Sequence, residues 1–235
     1  MIDLSHIKLQ EKNIDILVKE LYNYADEKFF WLGLQDYSPV FRLQKEIHKK
    51  ILDNKIRETT LLLEHNNVYT LGKNANRNHI LPLQTKCKNI VSVDRGGDVT
   101  YHGPGQLICY PLINLKNYKK SISWYIDLIQ DSIIEFLDEN NIFAEKRLSP
   151  HTGVWVEDEK IAAIGIRLSK WITSHGFSLN VNTDLSYYDG IIPCGIFDQG
   201  VTSVHKIRND LFDLKNIAIF FERIISKKLN EVPSS

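Results

Sequence analysis

Apolar residues recur at helical or strand spacing along most of the chain. Residues 5–28 carry Ile14, Leu17, Leu21 and Tyr24 on one face, which predicts a helix. Trp31 to Tyr37 reads as a short strand running into a turn, and Ser38-Pro39 then opens a helix, because proline is tolerated in a first turn. Leu43, Ile47 and Ile51 form its apolar stripe. Thr59 to Glu64 and Val68 to Leu71 are strand-like, with Asn66-Asn67 as the turn between them. Residues 73–89 show no period, and Ile90 to Asp94 is a strand leading into a glycine-rich stretch. Leu107 to Leu115 is apolar but contains Pro111, which predicts an edge or broken strand. Ser121 to Asn140 is the clearest helix, with Ile122, Ile126, Ile129, Ile133 and Leu137 in step. A hairpin follows: Val154 to Val156, the turn Glu157-Asp158-Glu159, then Lys160 to Leu168. Trp171 to Val181 is a further strand, residues 187–200 are a loop, and Asp213 caps a last helix carrying Leu214, Ile217, Phe221, Ile224 and Ile225. There is no repeat, low-complexity tract or linker. Helices and hairpins interleave, so the expected fold is a single α/β domain with a mixed, mostly antiparallel sheet flanked by helices, not a doubly wound parallel one.

Composition mainly excludes. The 235 residues are 43% hydrophobic and 25% charged, as in an ordinary globular protein with a proper core. Lys+Arg and Asp+Glu are both 29, so there is no bulk electrostatic case for nucleic acid. One basic run remains: Arg42 to Arg57 holds six cationic residues against Glu46 and Asp53, read either as a solvated helix face or as a surface for an acidic protein partner. No apolar run approaches the ~18 residues that span a bilayer. Acids spread through the first 30 residues, with no arginine, fit neither a secretory signal nor a transit peptide. Three scattered cysteines, Cys87, Cys109 and Cys194, suggest neither a disulfide framework nor a zinc motif. The expectation is a cytoplasmic protein.

Candidate chemistry concentrates in Arg95-Gly-Gly-Asp-Val-Thr-Tyr-His-Gly-Pro-Gly-Gln106, which holds four of the chain's 12 glycines. Such a loop lets a ligand approach the backbone and can turn bare N–H groups toward an oxygen-rich group. It is either an exposed hairpin tip or the wall of a substrate pocket. Cys194 lies between Pro193 and Gly195, a setting that holds a thiol on a turn, whereas Cys109 reads as a small core residue. A nucleophilic thiol needs a nearby base or cation, and Lys160, His102, His151, His175 and His205 are the candidates. Lys160 opens an apolar strand, where it is either partly desolvated or a solvated hairpin lysine; spacing alone favours the second. His102 suits a pocket wall better than a metal, because no second ligand stands at metal spacing. No G-x-S-x-G elbow, Walker A loop or dinucleotide fingerprint is present.

Four blocks in order resemble the lipoyl(octanoyl) transferase family, the octanoyltransferases of protein lipoylation (lipoate-protein ligase B family). They are Leu63 to Gly72, Arg95 to Gln106, Lys160 to Gly165, and His175 to Asn182 followed by Ile192 to Ile196. The likeness covers about residues 31–205, and the second block is the most specific. Residues 1–30 lie outside it and are expected to be an N-terminal helical extension to a catalytic domain over 31–235. Asn66-Asn67 stands where the family more often has prolines, which touches only a turn.

The resemblance implies a fold similar to the catalytic domain of biotin and lipoate ligases. It implies a cysteine that takes an octanoyl group from acyl carrier protein, after which a lysine of a lipoyl domain attacks the acyl-enzyme. Cys194 would be the nucleophile, and Lys160 its base or the cation lowering its pKa. Arg95, Gly96, Gly97, Asp98, Val99, Thr100, Tyr101 and His102 would line the acyl site. Ala163, Ile164, Gly165, Gly176, Phe177 and Ser178 would complete it, with apolar walls from Tyr101, Phe177 and Ile164 and loop N–H groups for the oxyanion. Thioester exchange is nearly isoenergetic, so no cofactor, metal or ATP is implied. The expected partners are octanoyl-acyl carrier protein as donor and, as acceptors, lipoyl domains of 2-oxoacid dehydrogenases and the glycine cleavage H protein. A monomer without nucleic-acid or membrane partners is expected. Two other readings remain: an ATP-dependent lipoate- or biotin-type ligase, which needs no cysteine, and a non-enzymatic binder of acylated carrier domains.

Overall fold

The computed structural model describes residues 1–24, 26–81, 86–149, 151–192 and 200–232. Its architecture follows from strands that are apolar on both faces. In β2 (Phe29–Gln35), Phe29 and Trp31 face one side while Phe30 and Leu32 face the other. In β3 (Thr59–His65), Leu62 opposes Leu61 and Leu63. In β7 (Gln106–Leu112), Leu107 and Cys109 oppose Ile108, Tyr110 and Leu112. A sheet of this kind needs cover on both sides. Helices α3 (Ile122–Glu139) and α5 (Leu214–Asn230) cover the first face. Helices α1 (Ile14–Asn23) and α2 (Tyr37–Leu52) cover the second.

Among the described residues, nine strands form this sheet. Along it run β1 (Ile2–Asp3), β2, β3, β7, β11 (Ile172–Asn180), β10 (Glu159–Ser169), β9 (Gly153–Val156) and β8 (Glu145–Arg147), while β12 (Gly200–Val201) pairs with β10. The β1–β2, β2–β3 and β10–β12 pairs are parallel and the rest antiparallel, the mixed sheet that the sequence predicts. On the α1–α2 side stands a second sheet of three strands, β5 (Ile90–Ser92), β4 (Val68–Leu71) and β6 (Val99–His102). Helix α4 (Val204–Arg208) precedes α5.

Two local expectations need correction. The first helix is shorter than residues 5–28, because the chain before it is tied to the sheet: Leu4 N donates to Trp31 O at 2.8 Å and Leu9 N to Gln35 Oε1 at 2.9 Å. Residues 2–3 add a strand beside β2. Nor is β7 an edge strand; it lies between β3 and β11. The regular β7–β11 ladder is interrupted beside Pro111, between the Phe177–Cys109 rung and the Ile172–Asn114 bridge, which keeps the same register. The Thr173 hydroxyl then donates to Pro111 O at 2.6 Å, joining the two strands through a side chain. The helix starts at Ser121 and Asp213 are as expected, each side chain accepting first-turn N–H groups.

Phe221 of α5 ties this helix layer to the sheet. It is fully buried, with ring centroids 5.1 Å from Phe177 and 5.7 Å from Phe136. Phe221→Ala should destabilise by about 3–5 kcal/mol, read from urea unfolding; a loss below about 1 kcal/mol would show that α5 is not anchored through this ring.

Candidate active site

A hollow of about 500 Å³, mouth included, lies on the α2 side of the sheet. Its floor is the β10–β11 ladder, its roof the Arg95–Asp98 turn with β6, and its inner end is formed by Tyr37 and Tyr110. Twelve of the residues expected to line an acyl site line it: Arg95, Gly96, Gly97, Asp98, Thr100, His102, Ala163, Ile164, Gly165, Gly176, Phe177 and Ser178. Val99 and Tyr101 do not. Period-two alternation in β6 turns them away from Thr100 and His102, and both join Tyr69 and Tyr188 in a separate cluster. Ile164 and Phe177, paired across the ladder, line the hollow and also pack into the α3–α5 core.

The roof lies close to the floor because Gly165 has no side chain. A Cβ there would stand 3.1 Å from Arg95 Cδ and 3.3 Å from Gly96 O. Gly96 N–H donates to Ile166 O at 3.0 Å, so the turn is hydrogen-bonded to β10. Arg95 is buried, its guanidinium donating to Thr70 O at 2.7 Å and Thr70 Oγ1 at 2.9 Å. Asp98 is held by the N–H groups of Asn76 (3.1 Å) and Val99 (2.7 Å) and by His79. The N–H groups of Gly96 and Gly105 are therefore committed, the latter to Glu64 Oε2 at 2.7 Å, and neither serves an oxyanion.

Lys160 stands beside the mouth and is buried, 7% exposed. A β-bulge puts it there. Ala162 pairs with Val154, and both face the α3–α5 core; but the register shifts between Ala162 and Lys160, so Lys160 pairs with Trp155. That extra residue moves Lys160 to the pocket side. Its ammonium lies 4.8 Å from the Trp155 ring centroid, and its Cε would be 3.3 Å from a Cβ at Gly153, the ladder partner of Ala163. Thr152, next to Gly153, lines the hollow.

Cys194 lies outside the described residues. On one side of its segment Ile192 N donates to His79 O at 2.8 Å; on the other, Val201 pairs with Lys160 and Thr202 N donates to Lys160 O at 3.1 Å. Cys109 and Cys87 are buried, and burial pushes both thiols up, away from the thiolate. His151 and His205 do not line the hollow. In the basic run, Arg42 pairs with Glu11, Lys55 with Asp53 and Arg57 with Asp26, which reduces the free charge of that face.

Three lining residues escaped the sequence reading, Tyr37, Tyr110 and Thr152, while His175 was read only as a candidate base or cation for a thiol. Tyr37 and Tyr110 come from a helix start and an apolar strand, where nothing separates a lining aromatic from a core one. They belong to a buried polar group at the inner end. His65 Nδ1 donates to Gln35 O at 3.2 Å, so Nε2 is left to accept from Tyr110 Oη at 3.0 Å. His102 Nδ1 donates to Gln106 Oε1 at 2.8 Å, which leaves the Gln106 amide to donate to Asn180 Oδ1 at 2.9 Å.

Comparison with known proteins agrees with this geometry. Residues 36–225 match the lipoyl protein ligase A/B catalytic domain. Solved structures with the same fold include a putative lipoate protein ligase from T. acidophilum with bound lipoic acid, at TM-score 0.65, 13% identity and 86% of each chain. The biotin protein ligase of Aquifex aeolicus has TM-score 0.52 at 16% identity, over 87% of this chain and 70% of that one. Among sequences, the octanoyltransferase of Desulforamulus reducens is 40% identical over 86% of this chain and 95% of its own. A chloroplastic octanoyltransferase of Arabidopsis thaliana is 40% identical over 83% of this chain and 74% of its own. The chain belongs to the octanoyltransferase family.

The buried histidines make stability depend on pH. Burial lowers His65 to about 4 and holds His102 well below its ordinary value of 6.5. The unfolded chain binds protons near that ordinary value, so between it and about 4 the folded state binds fewer. Stability is fully present above this window and falls as pH drops through it; His65 alone accounts for roughly 3 kcal/mol. The melting temperature should therefore fall between about pH 7 and about pH 4.5, and less steeply in His65→Gln. Parallel curves for the two proteins would remove His65 as a cause.

Proposed function

We propose that the protein transfers an octanoyl group from the thioester of acyl carrier protein to the ε-amine of a lysine on a lipoyl domain, through an acyl-thioester on Cys194. The observation that carries this reading is the hollow itself. Residues of the family's second, third and fourth blocks line one space, and the buried Lys160 packs beside Gly153, the ladder partner of the lining residue Ala163. Both segments flanking Cys194 attach close by, at His79 and at Lys160. The other two cysteines are buried and neither lines the hollow.

In the first step the Cys194 sulfur attacks the octanoyl carbonyl, its proton passes to the Lys160 amine, and the donor's thiol leaves with that proton. In the second, the acceptor amine attacks the acyl-cysteine, Lys160 takes a proton from it, and the sulfur of Cys194 departs. Each step exchanges one acyl bond for another, and one site serves two protein partners in turn. Eight carbons at ~0.8 kcal/mol per buried CH₂ give several kcal/mol of binding to the hollow. The relative from Thermoplasma acidophilum, described with its E2 lipoyl domain, is a bipartite lipoate protein ligase, and a lipoyl domain is the acceptor proposed for this chain.

Incubation with octanoyl-acyl carrier protein should give an octanoyl adduct by intact-protein mass spectrometry, absent in Cys194→Ala. Turnover by wild type without an adduct would argue against the acyl-cysteine. A Cys194→Ser protein that keeps full activity with ATP would instead support a ligase. Lys160→Ala should melt as a folded protein yet acylate about 10²–10⁴-fold more slowly; an equal rate would remove Lys160 from the mechanism.

A further inference from the structure

Beyond the inner end of the hollow lies a second one, of about 500 Å³ with its open mouth, lined by Phe41, Gln44, Lys45, Asp94, Arg167 and Ser174 among others. Asp94 and Arg167, paired with each other, are partly solvent-exposed, so this space reaches the surface. One side chain belongs to both hollows: His175. Its ring lies between an aromatic of each, with centroids 5.4 Å from Phe41 on the outer side and 6.2 Å from Tyr110 on the inner side.

The ring is out of phase with its strand. Across the β10–β11 ladder Ile164 pairs with Phe177 and Ile166 with His175. Ile164, Phe177 and Ile166 all face the α3–α5 core, and plain alternation would send His175 there too. Instead its φ is +57°, in the left-handed region that a histidine rarely adopts, and the ring turns to the pocket side. It is held there by Nε2 donating to Asp94 Oδ1 at 2.8 Å and by its own N–H donating to Gln44 Oε1 at 2.8 Å. Burial lowers the ring's pKa below its ordinary value despite Asp94. Backbone strain kept at a point where a ring parts two spaces points to a use for that ring.

We propose that His175 is the end-stop that sets the length of acyl chain the protein accepts, closing the inner hollow against the outer one. This rests on reading the inner hollow as the acyl site. The dimensions suit it. From the Ala163–Ser178 rung, beside Lys160, to the Ile166–His175 rung is three residues, about 10 Å at the strand rise. An extended eight-carbon chain needs much the same length. Two to four further methylenes would meet the imidazole, and with the ring removed they would pass toward Phe41.

The test compares octanoyl-, decanoyl- and dodecanoyl-acyl carrier protein as donors to wild type, His175→Gly and His175→Asn, reading adduct formation by intact mass. Glycine and asparagine both tolerate the left-handed backbone, and circular dichroism reports folding of each variant. Wild type should acylate with dodecanoyl far more slowly than with octanoyl. The dodecanoyl-to-octanoyl rate ratio should rise about tenfold or more in His175→Gly and by less in His175→Asn. A wild type that accepts both chains equally overturns the end-stop whatever the variants do. An unchanged ratio in a folded variant overturns it too, and leaves the acyl reading standing if octanoyl adducts form. No adduct on wild type with any chain overturns the acyl reading, and the end-stop with it.

Discussion

The site depends on the contact between the Arg95–Gly97 turn and β10. Gly96 N–H bonds to Ile166 O, and the bare Gly165 lets the stem of Arg95 lie almost on the strand. A similar approach fixes the other end of the turn: a Cβ at Gly72 would stand 2.3 Å from Gly97 O. Without these close approaches the small sheet would sit further from the large one, and the space between them would open to solvent. Arg95 then joins the layers through Thr70 of β4, so the roof of the hollow is part of the core.

The hollow is walled by backbone and polar rings more than by aliphatic side chains. This follows from the sheet. Both its faces are apolar, and the apolar residues are already used against the helices. What remains where the small sheet stands over β10 and β11 is Ala163, Gly165, Gly176 and Ser178, four small residues in two paired rungs. Their smallness makes the space. Its inner end is polar, but its groups are bonded to one another: His65 to Tyr110, and His102 to Gln106. Pairs bonded to each other in this way leave an apolar ligand little unmet hydrogen bonding to face, the buried His175 Nδ1 being the exception.

The mixed α/β class, the helix caps and the glycine block were legible in the sequence because each rests on local signals. Ser121 and Asp213 mark helix starts, and four glycines in twelve residues mark a close approach. The failures came from signals that are not local. Pro111 reads as an edge residue, yet it sits in a gap of the regular β7–β11 ladder that the Thr173 hydroxyl bridges. Residues 5–13 read as part of a helix, yet bonds from Leu4 and Leu9 to β2 hold that stretch against the sheet. Val99 and Tyr101 came with the family block, and nothing short of the strand's facing separates them from Thr100 and His102.

The two side chains on the β10–β11 hairpin to which we assign roles in the proposals share one property. Lys160 and His175 both sit at positions whose strand period points to the wrong face. The bulge between Lys160 and Ala162 corrects the first, and a left-handed residue corrects the second. Each correction costs ladder hydrogen bonding or backbone strain. The flanking apolar residues on either side keep their proper facing: Ile161 and Ala162 beyond the lysine, Ile166 and Phe177 beside the histidine. Core and site therefore occupy the same two strands with opposite phases. A period-two reading recovers the core and is bound to miss the site, because the residues that leave the period are the ones turned toward the hollow.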